Sequence, residues 1–217
     1  MPGNISFFAD THGLNYLQKA DRIVQMLEFT RLKDFAKRRA GNLSGGMKKK
    51  LVLACALIHE PQVLLLDEPS TGVDPVSRRE LWLMLSRIVN DGVTVLVSTP
   101  YMDEAERCHQ VSVLYQGKIL AEGVPLDLIQ NLPFKIVEVK AKPRMAIREI
   151  VQNSPQVISW RPIGDRLRLV VRDPEKAIEE LSQNIQQDEI KVKILRQSRR
   201  SMEDFFIHMV EAERLKQ

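Results

Sequence analysis

The chain has 217 residues, of which 44% are apolar and 28% charged, and its formal net charge is +4. This is the make-up of a soluble globular chain with one large domain or two small ones, and it excludes disorder, collagen and coiled coil. No apolar run approaches the ~20 residues that a bilayer-spanning helix requires, and Met1-Pro2-Gly3-Asn4 lacks the basic-then-apolar start of a secretory signal. Neither insertion nor secretion is expected. Cys55 and Cys108 have no C-x-x-C spacing, so they read as reduced thiols of a cytoplasmic protein. Residues 1–134 hold 15 basic and 15 acidic side chains, whereas residues 135–217 hold 17 and 13. A surplus of that size without interleaved aromatics reads as a solvated face, and no nucleic-acid partner is expected.

Leu17, Ala20, Ile23, Val24 and Leu27 recur at helical spacing, opposite Lys19, Asp21, Arg22 and Gln25, which predicts an amphipathic helix over 15–29. Ser44 is the natural N-cap of a second helix with Leu51, Ala54, Cys55 and Ile58 as its buried stripe, ending before Pro61. Val63-Leu64-Leu65-Leu66 and Val93 to Val97 are short apolar runs that suit strands of a parallel sheet covered on both faces. Between them, Leu81, Leu85, Ile88 and Val89 mark a crossover helix that starts at Asp74-Pro75 and stops at Asp91-Gly92. A hairpin over 111–121 turns at Gln116-Gly117, and a boundary is placed near Pro133. The pattern then restarts as strand 135–141, helix 144–153, strands 156–161 and 166–171, helix 174–186 and strand 190–195, a βαββαβ order that predicts a small ferredoxin-like unit closed by a helix over 201–213.

Four apolar residues leading into Asp67-Glu68 put two carboxylates at the carboxyl end of a buried strand, where open α/β sheets carry their ligand chemistry. One could hold a magnesium ion while the next activates water. Leu43-Ser44-Gly45-Gly46 opens a helix with a hydroxyl and two unobstructed amides at its positive end, which suits a phosphate. Pro69 to Pro75 follow the acidic pair directly. The four histidines His12, His59, His109 and His208 read as structural, and Lys48, Lys49 and Lys50 read either as steering charges for a nucleotide or as a solvated helix face.

In this order the motifs resemble the nucleotide-binding subunit of ATP-binding cassette (ABC) transporters. Leu43, Ser44, Gly45 and Gly46 look like the signature loop, Leu64 to Glu68 like the Walker B strand, and Thr71, Gly72, Val73 and Asp74 like the D-loop. The tail with Ser201-Met202-Glu203-Asp204-Phe205-Phe206 is similar to the accessory domain of daunorubicin-type drug exporters. The resemblance implies an α/β chain: a partial P-loop NTPase core over 1–133, with a helical subdomain at 5–58 and a catalytic core at 59–133, and an accessory α+β domain at 134–217. It further implies ATP and Mg2+ as cofactors, Asp67 as the metal ligand and Glu68 as the residue that polarises water. A second ATP-binding subunit, homo- or heteromeric, and a membrane permease are the implied partners, with the chain cytoplasmic and peripheral on the inner face of the plasma membrane.

Two departures qualify that picture. Phosphoryl-transfer proteins of this class cradle the β- and γ-phosphates with G-x-x-x-x-G-K-[ST], yet among ten glycines only Gly117 precedes a lysine. The chain therefore reads as the carboxyl part of a cassette, with the Walker A strand lying upstream. Pro100 stands where the family has a switch histidine, and proline offers neither a side-chain donor nor a backbone N–H. Two readings follow: part of an exporter's ATP-hydrolysing motor, or a non-catalytic regulatory or dimerisation module unable to hydrolyse ATP. A third reading is a truncated product or fragment unable to hydrolyse ATP; loss of a central strand would leave strands 63–66 and 93–97 poorly covered, with aggregation of the isolated chain as its consequence.

Overall fold

The computed structural model describes residues 1–187 and 190–216, and within them helices and strands mix in the α/β order anticipated. Two compact units emerge, Met1–Pro100 and Tyr101–Gln217.

In the first unit, Pro2–Thr11 (α1) buries Ile5 and Ala9 and carries Pro2 in its first turn, where a missing N–H removes no hydrogen bond. Tyr16–Phe29 (α2) starts from a capping box. The Asn15 side chain accepts the Gln18 N–H at 2.9 Å, and the Gln18 side chain accepts the Asn15 N–H at 3.4 Å. Gly45–Leu57 (α3) begins after Ser44 as anticipated, the hydroxyl accepting the Met47 N–H at 3.3 Å. These helices share one apolar cluster that includes Ile5, Leu27, Leu43, Leu51, Cys55 and Ile58. Burial pushes the Cys55 thiol up to about 11, so it stays protonated and inert at neutral pH. At the ends of α1 and α3 the rings of His12 and His59 stack 3.9 Å apart.

Val63–Asp67 (β1), Pro75–Asn90 (α4) and Thr94–Ser98 (β2) form the strand–helix–strand crossover, with β1 and β2 parallel and Asp67 opposite Ser98. The expectation of strands covered on both faces does not hold. Leu64 is buried, but Val63, Leu65 and Leu96 are 55%, 69% and 65% exposed. The cause is geometric: these two strands are a sheet by themselves, α4 packs against β2, and side chains alternate between faces. Leu65 and Leu96 are register partners, so both fall on the open side. The poor coverage expected of these strands is thus present. Because both leucines lie in solvent, Leu65→Glu with Leu96→Lys should change stability by no more than about 0.5 kcal/mol each. The same pair should reduce self-association in light scattering behind size-exclusion chromatography.

The second unit opens with Met102–Ala105 (α5), then Val111–Tyr115 (β3) and Lys118–Gly123 (β4). They join through Gln116 and Gly117, both at positive φ (48° and 75°), the backbone of a two-residue hairpin turn. Gly117 therefore belongs to a turn and Lys118 to the strand after it, and the pair holds no phosphate loop. Pro125–Gln130 (α6) leads to Lys135–Lys142 (β5), Arg144–Asn153 (α7), Val157–Ile163 (β6), Arg166–Val171 (β7), Pro174–Gln187 (α8) and Lys191–Ser198 (β8). The four strands pair antiparallel in the order β6-β7-β5-β8, the arrangement expected of βαββαβ. One sheet face, with Val137, Val139, Leu167 and Leu169, packs against α7 and α8 through Ile147, Val151 and Leu181.

Met202–Arg214 (α9) explains where the units divide. The sequence pattern places the boundary at 133/134, whereas the compact units divide at 100/101. Val113, Leu132 and Phe134 share an apolar cluster with Ile136 of β5 and Met202 and Phe205 of α9, so α9 draws the hairpin and α6 into the C-terminal unit. A buried charge network seats α9. The Arg168 guanidinium donates to Asp204 Oδ1 at 3.0 Å and Oδ2 at 2.6 Å, to Glu138 Oε1 at 3.1 Å and to the Arg199 carbonyl at 2.6 Å. Burial works to raise the Asp204 carboxyl, but hydrogen bonds and charge from Arg168, with further bonds from Arg161 and Ser201, hold it below the usual carboxylate range. Glu138 is likewise depressed against its burial, by bonds from Ser198 and Arg166 and the charge of Arg168.

A depressed carboxyl contributes stability above its unfolded pKa and loses it as pH falls through the folded value. Acidification below about pH 4, the ordinary carboxylate range, should therefore weaken this unit. Arg168→Met takes the shared cation from the buried Asp204 and the half-buried Glu138, which keep Arg161 and Arg166 respectively, and should cost about 3 kcal/mol at neutral pH, the low end for breaking a buried pair. It should also flatten the acid dependence. Thermal unfolding followed by Trp160 fluorescence in a Trp82→Phe background measures both effects.

Candidate functional site

All the residues singled out for nucleotide chemistry lie in the first unit. The start of α3 rests on the segment after β1. Gly45 Cα carries no side chain where an added Cβ would stand 3.5 Å from the Gly72 carbonyl. At Gly46 the approach is closer, since a Cβ there would meet Ser77 Cβ and Oγ at 2.5 Å. Glycine at 46 is thus a packing requirement, in addition to leaving the helix amides open. Leu43 is buried and anchors the loop, while Ser44 and Gly45 remain exposed.

The acidic strand tip is held by Ser98, which the sequence reading did not single out, together with Thr71 and Lys49. Ser98, opposite Asp67 in the β1–β2 ladder, donates its hydroxyl to Asp67 Oδ1. Its hydroxyl oxygen also accepts the Glu68 N–H at 3.0 Å. Glu68 sits at φ 42°, a left-handed conformation unusual for a non-glycine residue. Around it, the Thr71 hydroxyl donates to Glu68 Oε2 at 3.0 Å, and Lys49 Nζ donates to the Glu68 carbonyl at 3.3 Å. Both carboxylates are exposed.

Lys49 and Lys50 answer the question left open for the lysine run. Lys49 ties α3 to the strand tip, and Lys50 is buried in an ion pair with Glu80 of α4, which also faces Arg31 at 3.3 Å. Asp74 caps α4, accepting the N–H groups of Val76 and Ser77 at 3.1 and 2.9 Å. Its hydrogen bonds from Ser77, chiefly, hold that carboxyl below its ordinary range. The Thr71 to Asp74 segment therefore touches both the helix start at Gly45-Gly46 and the strand tip at Glu68. Pro100 follows β2 by two residues and brings no donor toward the tip.

Hard oxygen donors at an exposed strand tip fit magnesium, which is held by one or two protein carboxylates alongside phosphate oxygens. Asp67 and the Ser98 hydroxyl are the residues that would hold it. What the described residues do not contain is an amide-and-lysine cradle for the β- and γ-phosphates. Only a register reading could have found Ser98, since it required pairing Asp67 across a parallel ladder. Ser77 carries no local signal at all, and the lysine run named Lys49 without its partner at the strand tip. Gly46→Ala should force α3 away from Ser77 and destabilise the first unit by about 1–3 kcal/mol, the range for overpacking, as read by denaturant unfolding.

Residues 3–71 match the ABC transporter family. The chain is 41% identical over 172 residues to the probable multidrug ABC transporter ATP-binding protein YbhF of Escherichia coli (strain K12), covering 78% of this chain and 30% of that protein. It is 36% identical over 173 residues to the Nod factor export ATP-binding protein I of Cupriavidus metallidurans (strain ATCC 43123 / DSM 2839 / NBRC 102507 / CH34), covering 79% and 56% respectively. The chain thus spans less than two thirds of these curated relatives. Among solved structures, an ATP-binding subunit of an ABC transporter shares the fold at a TM-score of 0.52 and 28% identity, over 59% of this chain and 54% of that one. Residues 3–71 accordingly resemble the ABC transporter family, and the chain as a whole is similar to the ATP-binding proteins named for multidrug and Nod factor export.

Proposed function

We propose that this chain serves in the ATP-driven motor of an exporter, supplying a signature loop to the nucleotide of an opposing subunit and a Walker B tip to its own side. The observation that carries this reading is the joint placement of three motifs: Gly45 and Gly46 against Gly72 and Ser77, with Thr71 and Lys49 bonded to Glu68. In it, Ser44, Gly45 and Gly46 contact the partner subunit's triphosphate, Asp67 holds magnesium and Glu68 orients water. Magnesium, when bound, would neutralise developing charge on the phosphates. The chain's own residues hold the carboxylates in place, Ser98 on Asp67 and Thr71 on Glu68.

The remaining assignments rest on the same reading. A permease docks on the helical segment 5–58, which exposes Phe7 and Tyr16 (63% and 82%). No helix among the described residues is long and apolar enough to cross a membrane; a peripheral place on the inner face of the plasma membrane belongs to the same proposal. The division into a 1–133 cassette part and a 134–217 accessory part is proposed for function, alongside the structural division at 100/101. Multidrug-type cargo is suggested by the names of the relatives. The second reading, a non-catalytic dimerisation or regulatory module, is favoured by Pro100, which offers neither a side-chain donor nor a backbone N–H.

Association in trans separates the two. A cassette subunit with its own phosphate cradle, made hydrolysis-deficient, is mixed with this chain and analysed by ultracentrifugation with and without ATP–Mg2+. Association that ATP tightens, and that Gly45→Asp weakens by about tenfold or more through charge repulsion at the phosphates, is expected. Association indifferent to ATP would remove the motor reading and leave the regulatory one.

A further inference from the structure

The C-terminal unit brings three of its cations to one open surface. Most cations of its sheet are neutralised. Lys140 pairs with Asp165, Arg161 with Glu203 and Asp204, Arg166 with Glu138, and Arg168 with Glu138 and Asp204. Lys142, Arg144 and Lys191 are different: among the described residues none has an acidic partner, and with Pro143 they line one open depression of 580 Å³.

The arrangement opposes ordinary rules of local stability. Lys142 and Lys191 stand directly opposite each other in the β5–β8 ladder, and like charges in that relation repel. Arg144 then occupies the first position of α7, whose first turn contains no acidic residue, where a basic side chain opposes the helix dipole. Arg144 also borders the adjoining notch with Arg148. Three repelling cations kept together at a concave surface form a locally unfavourable cluster that an anion would relieve, and such violations concentrate at functional positions. The depression is wide open to solvent, so it admits a chain of phosphates at the surface without enclosing it.

We infer that Lys142, Arg144 and Lys191 form a binding site for a phosphomonoester-rich anion, either a lipid headgroup or a free oligophosphate. It is independent of the nucleotide reading, and nothing at Ser44, Asp67 or Glu68 enters it. Primary amines and a guanidinium on three separate backbone positions match several phosphate oxygens at once, with charge-assisted bonds stronger than neutral ones. Binding weakens as salt screens the exposed charges.

The test uses the full chain with two probes, inorganic tripolyphosphate in solution and phosphatidylcholine vesicles doped with phosphatidic acid. Tripolyphosphate should raise the melting temperature of the C-terminal unit by mass action, or the doped vesicles should float the chain where pure phosphatidylcholine vesicles do not. Which probe succeeds identifies the source of the phosphate. Lys142→Gln with Arg144→Gln and Lys191→Gln should weaken binding by at least about tenfold. An equal loss of charge at Lys33, Lys176 and Lys216 should leave it within about twofold. Because Lys142 and Lys191 repel, Lys142→Gln alone should melt no earlier than the unchanged chain, which separates lost binding from lost folding. Unchanged affinity in the triple variant, no response to either probe, or preference for duplex DNA over both would overturn the assignment.

Discussion

The contact on which the first unit depends is the approach of the α3 start to the segment at 71–77. It is possible because positions 45 and 46 have no side chain: a methyl group at 46 would enter Ser77, and one at 45 would reach van der Waals contact with the Gly72 carbonyl. Interiors are packed densely enough that a single extra carbon must displace something. Once α3 is seated there, its next turn delivers Lys49 to the Glu68 carbonyl and Lys50 to Glu80. A short stretch of helix thereby fixes the positions of the diglycine loop, the acidic strand tip and the first turns of α4.

The strand tip shows how that placement serves chemistry. Glu68 lies in the left-handed region without being glycine, a conformation that costs of order 1–3 kcal/mol and persists when neighbours over-determine it. Here Ser98 holds the amide, Lys49 the carbonyl and Thr71 the carboxylate. The effect is to turn the side chain of Glu68 away from the strand direction while Asp67 stays registered against Ser98. Two adjacent carboxylates, which in a straight strand would face opposite sides of the sheet, are given separately fixed settings.

Much of this was legible in the residues. Helical spacing located α2, α3 and α4, and Ser44 and Asp74 marked their starts, because local hydrogen bonds and one apolar stripe decide such features. The βαββαβ order of the C-terminal unit was likewise readable, down to the Gln116-Gly117 turn before it. Long-range partners were not. Val63 to Leu66 read as a strand buried on both sides, since apolar content alone cannot say how many strands and helices arrive to cover it, and Leu65 emerged in solvent. The division at 100/101 was hidden for a similar reason: Met202 and Phe205 reach back to Val113 and Phe134 over some ninety residues of sequence. Arg168, inside the strand placed at 166–171, is the buried centre of an ion network that strand placement alone does not reveal.

The account places the diglycine start of α3 and the residues after the Asp-Glu tip in direct steric contact, and a double-mutant cycle addresses that most directly. Ser77→Gly removes the side chain that an added methyl at 46 would strike. Denaturant unfolding of Gly46→Ala, Ser77→Gly and the combined variant should give strong non-additivity, with the second change recovering most of the stability lost to the first. Additive losses would contradict the contact, and with it the claim that one packing event sets the geometry of both motifs.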